Sequence, residues 1–153
     1  MGKNKIHAVL DTNVIVSAFI SDNINSNPTI VLRETLRGKI TPVYNDEILN
    51  EYEEVLSRDK FHFQRSDIDL VINHVKLSGL KVERTKAFEE FFPDPKDIVF
   101  YEVAMSKEDA YLVTGNIKHF PQKPFVVTPA EMVEILNMYI ELYVQTQSQN
   151  ISR

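Results

Sequence analysis

The fold is decided by Ile6-His7-Ala8-Val9-Leu10-Asp11-Thr12-Asn13-Val14, a mostly apolar run that ends on an acid followed by small polar residues. Continuous apolar runs are typical of strands buried on both faces of a parallel sheet. The run predicts a strand over residues 5–10, with Asp11 at its carboxyl end. Ligands and metal ions gather at this end of the strands in open α/β sheets. A buried carboxylate is costly unless it is paired, hydrogen-bonded or bound to a cation, so Asp11 is the first candidate site residue.

Strand-like and helix-like segments alternate along the rest of the chain. Further strands are predicted over residues 40–44, 80–82, 110–114 and 125–127, and helices over 14–20, 28–37, 46–56, 66–78, 97–105 and 129–143. We expect Ser66 to cap the fourth of these helices, and Thr128-Pro129-Ala130-Glu131 is a capping box that begins the last one. This alternation predicts an α/β fold with a central parallel sheet of four or five strands flanked by helices. Right-handed crossovers would bring the carboxyl ends of the strands to one edge of the sheet.

The length of 153 residues is typical of one domain, which we assign to residues 1–144, with the polar segment 145–153 as a frayed tail. Hydrophobic residues make up 43% and charged residues 25%, as in ordinary globular proteins. No stretch is long and apolar enough to cross a membrane, and the apolar run before Asp11 is too short for a signal peptide. We therefore expect a cytoplasmic protein with no membrane partner.

The net charge bears on how this protein could interact with nucleic acid. With 17 basic and 22 acidic residues the net charge is −5, which does not suit a protein that coats nucleic acid by bulk charge. An enzyme acting on nucleic acid stays open, because clustered carboxylates lower the net charge and a bound cation reverses its local sign. The chain has no Cys, which excludes disulfides and thiolate metal sites.

Acidic residues in distant parts of the chain form the candidate chemistry. Glu51 borders the apolar face of a predicted helix, and Asp97 begins another, where the helix dipole alone would favour an acid. Together with Asp11 they suit Mg²⁺ or Mn²⁺, which take oxygen ligands and support attack of water on phosphodiesters. The residue pattern leaves other interpretations open, with Asp11 as a strand cap and Glu51 as a solvated helix residue. Asp94, before Pro95, better suits a turn.

Four segments in chain order resemble the motifs of PIN-domain nucleases. The first is Asp11-Thr12-Asn13-Val14, and the second is Leu49-Asn50-Glu51-Tyr52-Glu53-Glu54-Val55-Leu56 with Glu51 as its acid. The third is Asp94-Pro95-Lys96-Asp97 followed by Ala104, with Asp97 as its acid. The fourth is Tyr111-Leu112-Val113-Thr114-Gly115-Asn116 with Lys118-His119-Phe120-Pro121. The resemblance covers nearly the whole chain and is closest to the VapC-like toxin branch of toxin–antitoxin systems.

The resemblance implies a Rossmann-like sheet and a Mg²⁺- or Mn²⁺-dependent endoribonuclease acting on single-stranded RNA. It implies the toxin of a toxin–antitoxin pair, with a small antitoxin protein as partner. The implied metal-binding residues are Asp11, Glu51 and Asp97, assisted by Asn116, and the supporting candidates are Thr12, Asn13 and Thr114.

Asn116 is a departure from the family pattern, because many members carry Asp there. An amide has no charge and coordinates only through its carbonyl oxygen, which would weaken a second metal site. Asp109 is a less favoured substitute, because it begins the predicted strand instead of ending it. A catalytically weak or inactive module that binds RNA or protein is therefore the alternative function.

Two further features have competing interpretations. Histidine is a common general acid in enzymes, but for His119 we prefer the interpretation of a loop residue fixed against Phe120 and Pro121. The apolar positions of the last helix suit the core, and part of the same stripe suits a homodimer interface; they are Tyr139, Ile140, Leu142 and Tyr143.

Overall fold

The computed structural model describes residues 5–86 and 92–151. Within these two ranges the chain forms five strands, namely β1 (Ile6–Leu10), β2 (Ile40–Tyr44), β3 (Leu80–Lys81), β4 (Tyr111–Val113) and β5 (Val126–Val127). The α-helices are α1 (Thr12–Ile20), α2 (Asn27–Leu36), α3 (Asp46–Leu56), α4 (Arg65–Ser78), α5 (Ile98–Met105) and α6 (Pro129–Ile151). Short 3₁₀ helices span Asp59–Phe61, Pro95–Asp97 and Ile117–His119.

The strands form one parallel sheet in the order β3-β2-β1-β4-β5, and helices flank it. This confirms the predicted α/β class. β1 is the central strand of the sheet. Its residues Ala8, Val9 and Leu10 are buried, as expected for an apolar strand covered on both faces. The chain leaves β1 for β2 on one side and later returns to β4 on the other. Ligands bind at the carboxyl ends of the strands where such a reversal occurs.

Register places the ends of β1 and β4 side by side. Leu10 lies opposite Val113, and the backbone N–H of Asp11 donates to the carbonyl of Val113 at 2.9 Å. The residues that follow, Asp11 and Thr114, therefore lie next to each other. The buried hydroxyl of Tyr52 on α3 donates to the carbonyl of Leu10 at 2.5 Å, which ties this helix to the end of β1.

Several element boundaries differ from the predictions. Helix α1 begins at Thr12, directly after Asp11, because the N–H of Val14 already bonds to the carbonyl of Asp11 at 2.9 Å. The prediction that Ser66 caps α4 is wrong, since the cap position is Gln64 and Ser66 lies inside the helix. A 3₁₀ turn (Pro95–Asp97) precedes α5, so Asp97 ends this turn and is the cap residue of the helix.

The last helix is longer than predicted. It continues past residue 143 to Ile151, so residues 145–151 of the expected frayed tail are helical. The physical reason is that neither Gly nor Pro follows Pro129, so no residue stops the helix. Residues 152 and 153 lie outside the described part of the chain. Within residues 5–86 and 92–151, no helix has the length and apolar character needed to span a membrane.

Candidate functional site

Asp11 is a buried carboxylate at the carboxyl end of the central strand. Only 4% of the residue is exposed, and its Oδ2 accepts a hydrogen bond from the hydroxyl of Thr114 at 2.8 Å. Burial raises the pKa of Asp11 to about 6, and the charges of Asp97 and Glu51 act in the same direction. The Thr114 hydroxyl and the backbone N–H of Asn13 lower this pKa by a smaller amount. The fold thus holds Asp11 where a negative charge is unfavourable without a cation.

Glu51 reaches the same edge of the sheet from α3. Its side chain is half-buried, and its Oε2 accepts a hydrogen bond from the hydroxyl of Thr12 at 2.9 Å. Thr12 is the first residue of α1 and directly follows Asp11. Asp11 and Thr12, the hydrogen-bond partner of Glu51, are therefore consecutive residues directly after β1.

Asp97 comes from the 3₁₀ turn before α5. Its side chain is 17% exposed, and its Oδ2 lies 3.3 Å from Nδ1 of His119. Burial raises the pKa of Asp97, as do the charges of Asp94 and, to a smaller extent, Glu51, while His119 lowers it. His119 itself is about half exposed.

The three predicted acids therefore come together, but loosely. The charge of Glu51 influences both Asp11 and Asp97, and Asp97 influences Asp11, so all three lie within electrostatic range of one another. Among the described residues, no group of three or more Asp, Glu or His side chains is arranged closely enough to hold a metal ion. Mg²⁺ binds one or two carboxylates directly and keeps several waters, so this all-oxygen set still fits such an ion.

Asn116 lies in the loop that follows β4. Its residue is exposed, and its backbone N–H donates to the hydroxyl of Thr114 at 3.0 Å. Thr114 therefore connects this loop to Asp11. The proposed substitute, Asp109, is exposed and precedes β4, at the amino-terminal edge of the sheet, so it is not part of this group.

The threonines and one histidine extend the predicted set. Thr12 and Thr114 are buried, and each donates its hydroxyl to one of the acids. Asn13 is exposed, and only its backbone N–H is directed to Asp11. The contact between His119 and Asp97 was not predicted from the sequence. A signal for it was present, since His119 follows the same strand as Asn116 and so belongs to the same edge.

The sequence of this chain matches the model of a known protein family. A family model described as PIN domain matches residues 7–118, which include Asp11, Glu51, Asp97 and Asn116. The chain belongs to the PIN-domain family. PIN domains are generally nucleases, and nucleic acid is the substrate that such an activity implies. The comparisons with curated proteins and with solved structures gave no match. In this PIN domain Asn116 lies within the matched range and His119 lies just beyond it.

Proposed function

We propose that this PIN domain is a divalent-metal-dependent endoribonuclease that hydrolyses phosphodiester bonds of single-stranded RNA. The observation that carries the proposal is Asp11, whose pKa is raised to about 6 by burial and by two neighbouring acids. Perturbed carboxylates of this kind concentrate at functional sites, and a bound cation would remove the cost of charging this one.

The donor set determines which metal would bind. Asp11, Glu51 and Asp97 offer only carboxylate oxygens, and Asn116 offers an amide oxygen, which together suit Mg²⁺ or Mn²⁺. When bound, such an ion activates a water for in-line attack and stabilises the leaving oxygen.

The residues of the chain itself hold the donors in place. The Thr114 hydroxyl fixes one oxygen of Asp11, and the Thr12 hydroxyl fixes one oxygen of Glu51. Both threonines are buried, so their hydroxyls have few alternative orientations. In each carboxylate the threonine contact involves one of the two oxygens.

The first experiment is cleavage of a mixed-sequence RNA by the purified protein with Mg²⁺, Mn²⁺ or EDTA. We expect cleavage that needs metal and falls to background in Asp11→Asn, which keeps the side-chain volume and removes the charge. The control is Asp22→Asn in an exposed loop, which should cleave as the wild type does. Unchanged activity of folded Asp11→Asn would overturn the site assignment.

The second candidate function is an RNA- or protein-binding module with little or no catalysis. Two observations favour it, namely the uncharged Asn116 and the loose spacing of the acids in the described structure. Titration with Mn²⁺ by calorimetry distinguishes the two functions. A protein that retains RNA but binds no Mn²⁺ and cuts no RNA would be the module.

We further propose the biological setting that the sequence motifs imply, a VapC-like toxin in the cytoplasm, held inactive by a small antitoxin. Growth arrest on expression, relieved by the product of a short reading frame beside the gene, would support it. The exposed apolar side chains of α6, with Leu142 60% and Tyr143 51% exposed, are the proposed homodimer surface. Light scattering of the purified protein tests that assembly.

A further inference from the structure

The loop that follows β4 connects two of the candidate acids. We call residues 114–119 the bridging loop. Thr114 begins it and donates to Asp11 Oδ2 at 2.8 Å, while His119 ends it with Nδ1 at 3.3 Å from Asp97 Oδ2. Asp11 and Asp97 lie on different elements, so this loop is a direct link between them.

The contact with His119 matters because of the state of Asp97 Oδ2. This oxygen is buried and has no well-formed hydrogen bond within the described residues. A buried carboxylate oxygen without a donor is unfavourable. The imidazole N–H of His119 is near enough to supply that donor with a small rotation, and hydrogen bonds in unliganded sites are often long before the ligand binds.

The bridging loop does not need the imidazole to keep its shape. The backbone N–H of His119 bonds to the carbonyl of Asn116 at 2.9 Å, and the N–H of Asn116 bonds to the Thr114 hydroxyl. Phe120, the next residue, is buried in the core. The side chain of His119 is therefore held at the site by a loop that would keep its conformation without it.

We infer that His119 is a positioning residue, whose Nδ1–H donates to Asp97 Oδ2 and holds that carboxylate with its other oxygen available to a metal ion. The inference rests on the proposed function of Asp97 as a metal ligand. Protonated imidazole carries an N–H at Nδ1, and so does one of the two tautomers of neutral imidazole. The role therefore does not depend on the charge of His119. Groups that orient metal ligands in this way typically change metal affinity or activity when they are removed.

The contact itself is tested without metal. A long-range ¹H–¹⁵N spectrum of the histidine rings, recorded on metal-free protein at pH 8, reports which ring nitrogen carries the proton. We expect the Nδ1–H tautomer for His119 in the wild type and a shift toward the Nε2–H tautomer in Asp97→Ala. An Nε2–H tautomer in the wild type, unaltered in Asp97→Ala, would overturn the inference.

The consequence for the site is tested with a matched pair of variants. His119→Ala removes the donor, whereas His119→Asn places an amide N–H near the position of Nδ1. We expect His119→Ala to weaken Mn²⁺ binding, measured by calorimetry, about 10- to 100-fold, and to lower kcat for RNA with KM unchanged. His119→Asn should stay close to the wild type. His62→Asn, which replaces an exposed histidine on a left-handed turn that Asn tolerates, is the control and should change neither quantity.

The outcomes separate this inference from the proposed function. Wild-type Mn²⁺ affinity in His119→Ala would overturn the inference, and so would equal losses in His119→Ala and His119→Asn, because the donor would then be irrelevant. A wild-type protein that binds no Mn²⁺ and cuts no RNA would instead refute the proposed function. In that case the metal-free spectrum alone would decide whether His119 holds Asp97.

Discussion

Asp11 illustrates how the fold sets the properties of a single residue. In the unfolded chain its carboxylate would be surrounded by water. Packing leaves it 4% exposed and brings the charges of Asp97 and Glu51 near it. The buried Thr114 hydroxyl compensates only in part, so the folded protein favours the protonated form of Asp11 more than the unfolded chain does.

This preference predicts how stability depends on pH. The pKa of Asp11 rises from its ordinary value of 3.8 to about 6 in the folded, metal-free protein. The stability from protonated Asp11 is therefore complete below pH 3.8 and is lost as the pH rises through about 6. At 1.36 kcal/mol per pKa unit, the loss is about 3 kcal/mol.

Asp11→Asn should escape this loss. We expect the stability of the variant relative to the wild type to increase by about 2 kcal/mol between pH 4 and pH 7, measured by urea unfolding in EDTA, because part of the full loss lies outside this range. Asp22→Asn in its exposed loop controls for the removal of a carboxylate in general. A stability difference between Asp11→Asn and the wild type that stays constant across this range would contradict the prediction.

Among the secondary-structure elements, α4 and β3 are joined by Gly79, where neighbouring backbone leaves no room for a side chain. A Cβ on Gly79 would lie closer than 3.0 Å to the carbonyl oxygens of Val75 and Pro42. Both are backbone atoms of packed elements, so neither can move as a flexible side chain would. We expect Gly79→Ala to lower the free energy of unfolding by about 1–3 kcal/mol in urea at pH 7.

Gly115→Ala is the matched control for this prediction. A Cβ there meets nothing within 4 Å, so we expect a change below about 0.5 kcal/mol. Equal effects of the two substitutions would show that loss of glycine flexibility, and not steric overlap, is responsible.

The helix caps show where prediction from sequence works and where it does not. Thr128 and Glu131 exchange the two predicted hydrogen bonds, 3.0 and 3.1 Å long, because both partners belong to one turn of chain. Ser66 has equally suitable chemistry but lies inside α4. There Arg65 forms ion pairs with Asp69 and with Glu53 of α3, so contacts with another helix also hold the first turn.

At the scale of the whole molecule, α6 extends beyond the part of the domain that it packs against. Met132 and Leu136 are buried, whereas residues 145–149 are exposed. A chain ending at residue 144 should therefore unfold in urea within about 0.5 kcal/mol of the full chain. A chain ending at residue 131 loses both buried side chains and should be strongly destabilised. A loss above about 2 kcal/mol in the 144-residue chain would contradict the predicted domain boundary.

The order of the elements, the parallel α/β architecture and the edge at which the strand ends collect could all be predicted from the sequence. These follow from local hydrophobic periodicity and from the handedness of crossover connections, which act along the chain. The family also followed from the sequence, because its motifs are short segments in a fixed order, and the match over residues 7–118 confirms it.

The contacts that hold the candidate acids could not be predicted in this way, because they join distant parts of the chain. Thr114 reaches Asp11 across 103 positions of sequence, and Thr12 reaches Glu51 across 39. Such pairs depend on the register of β1 with β4 and on the packing of α3 against the sheet, which no local pattern specifies. The contact of His119 with Asp97 and the raised pKa of Asp11 arise in the same way, because distance and burial are properties of the folded chain.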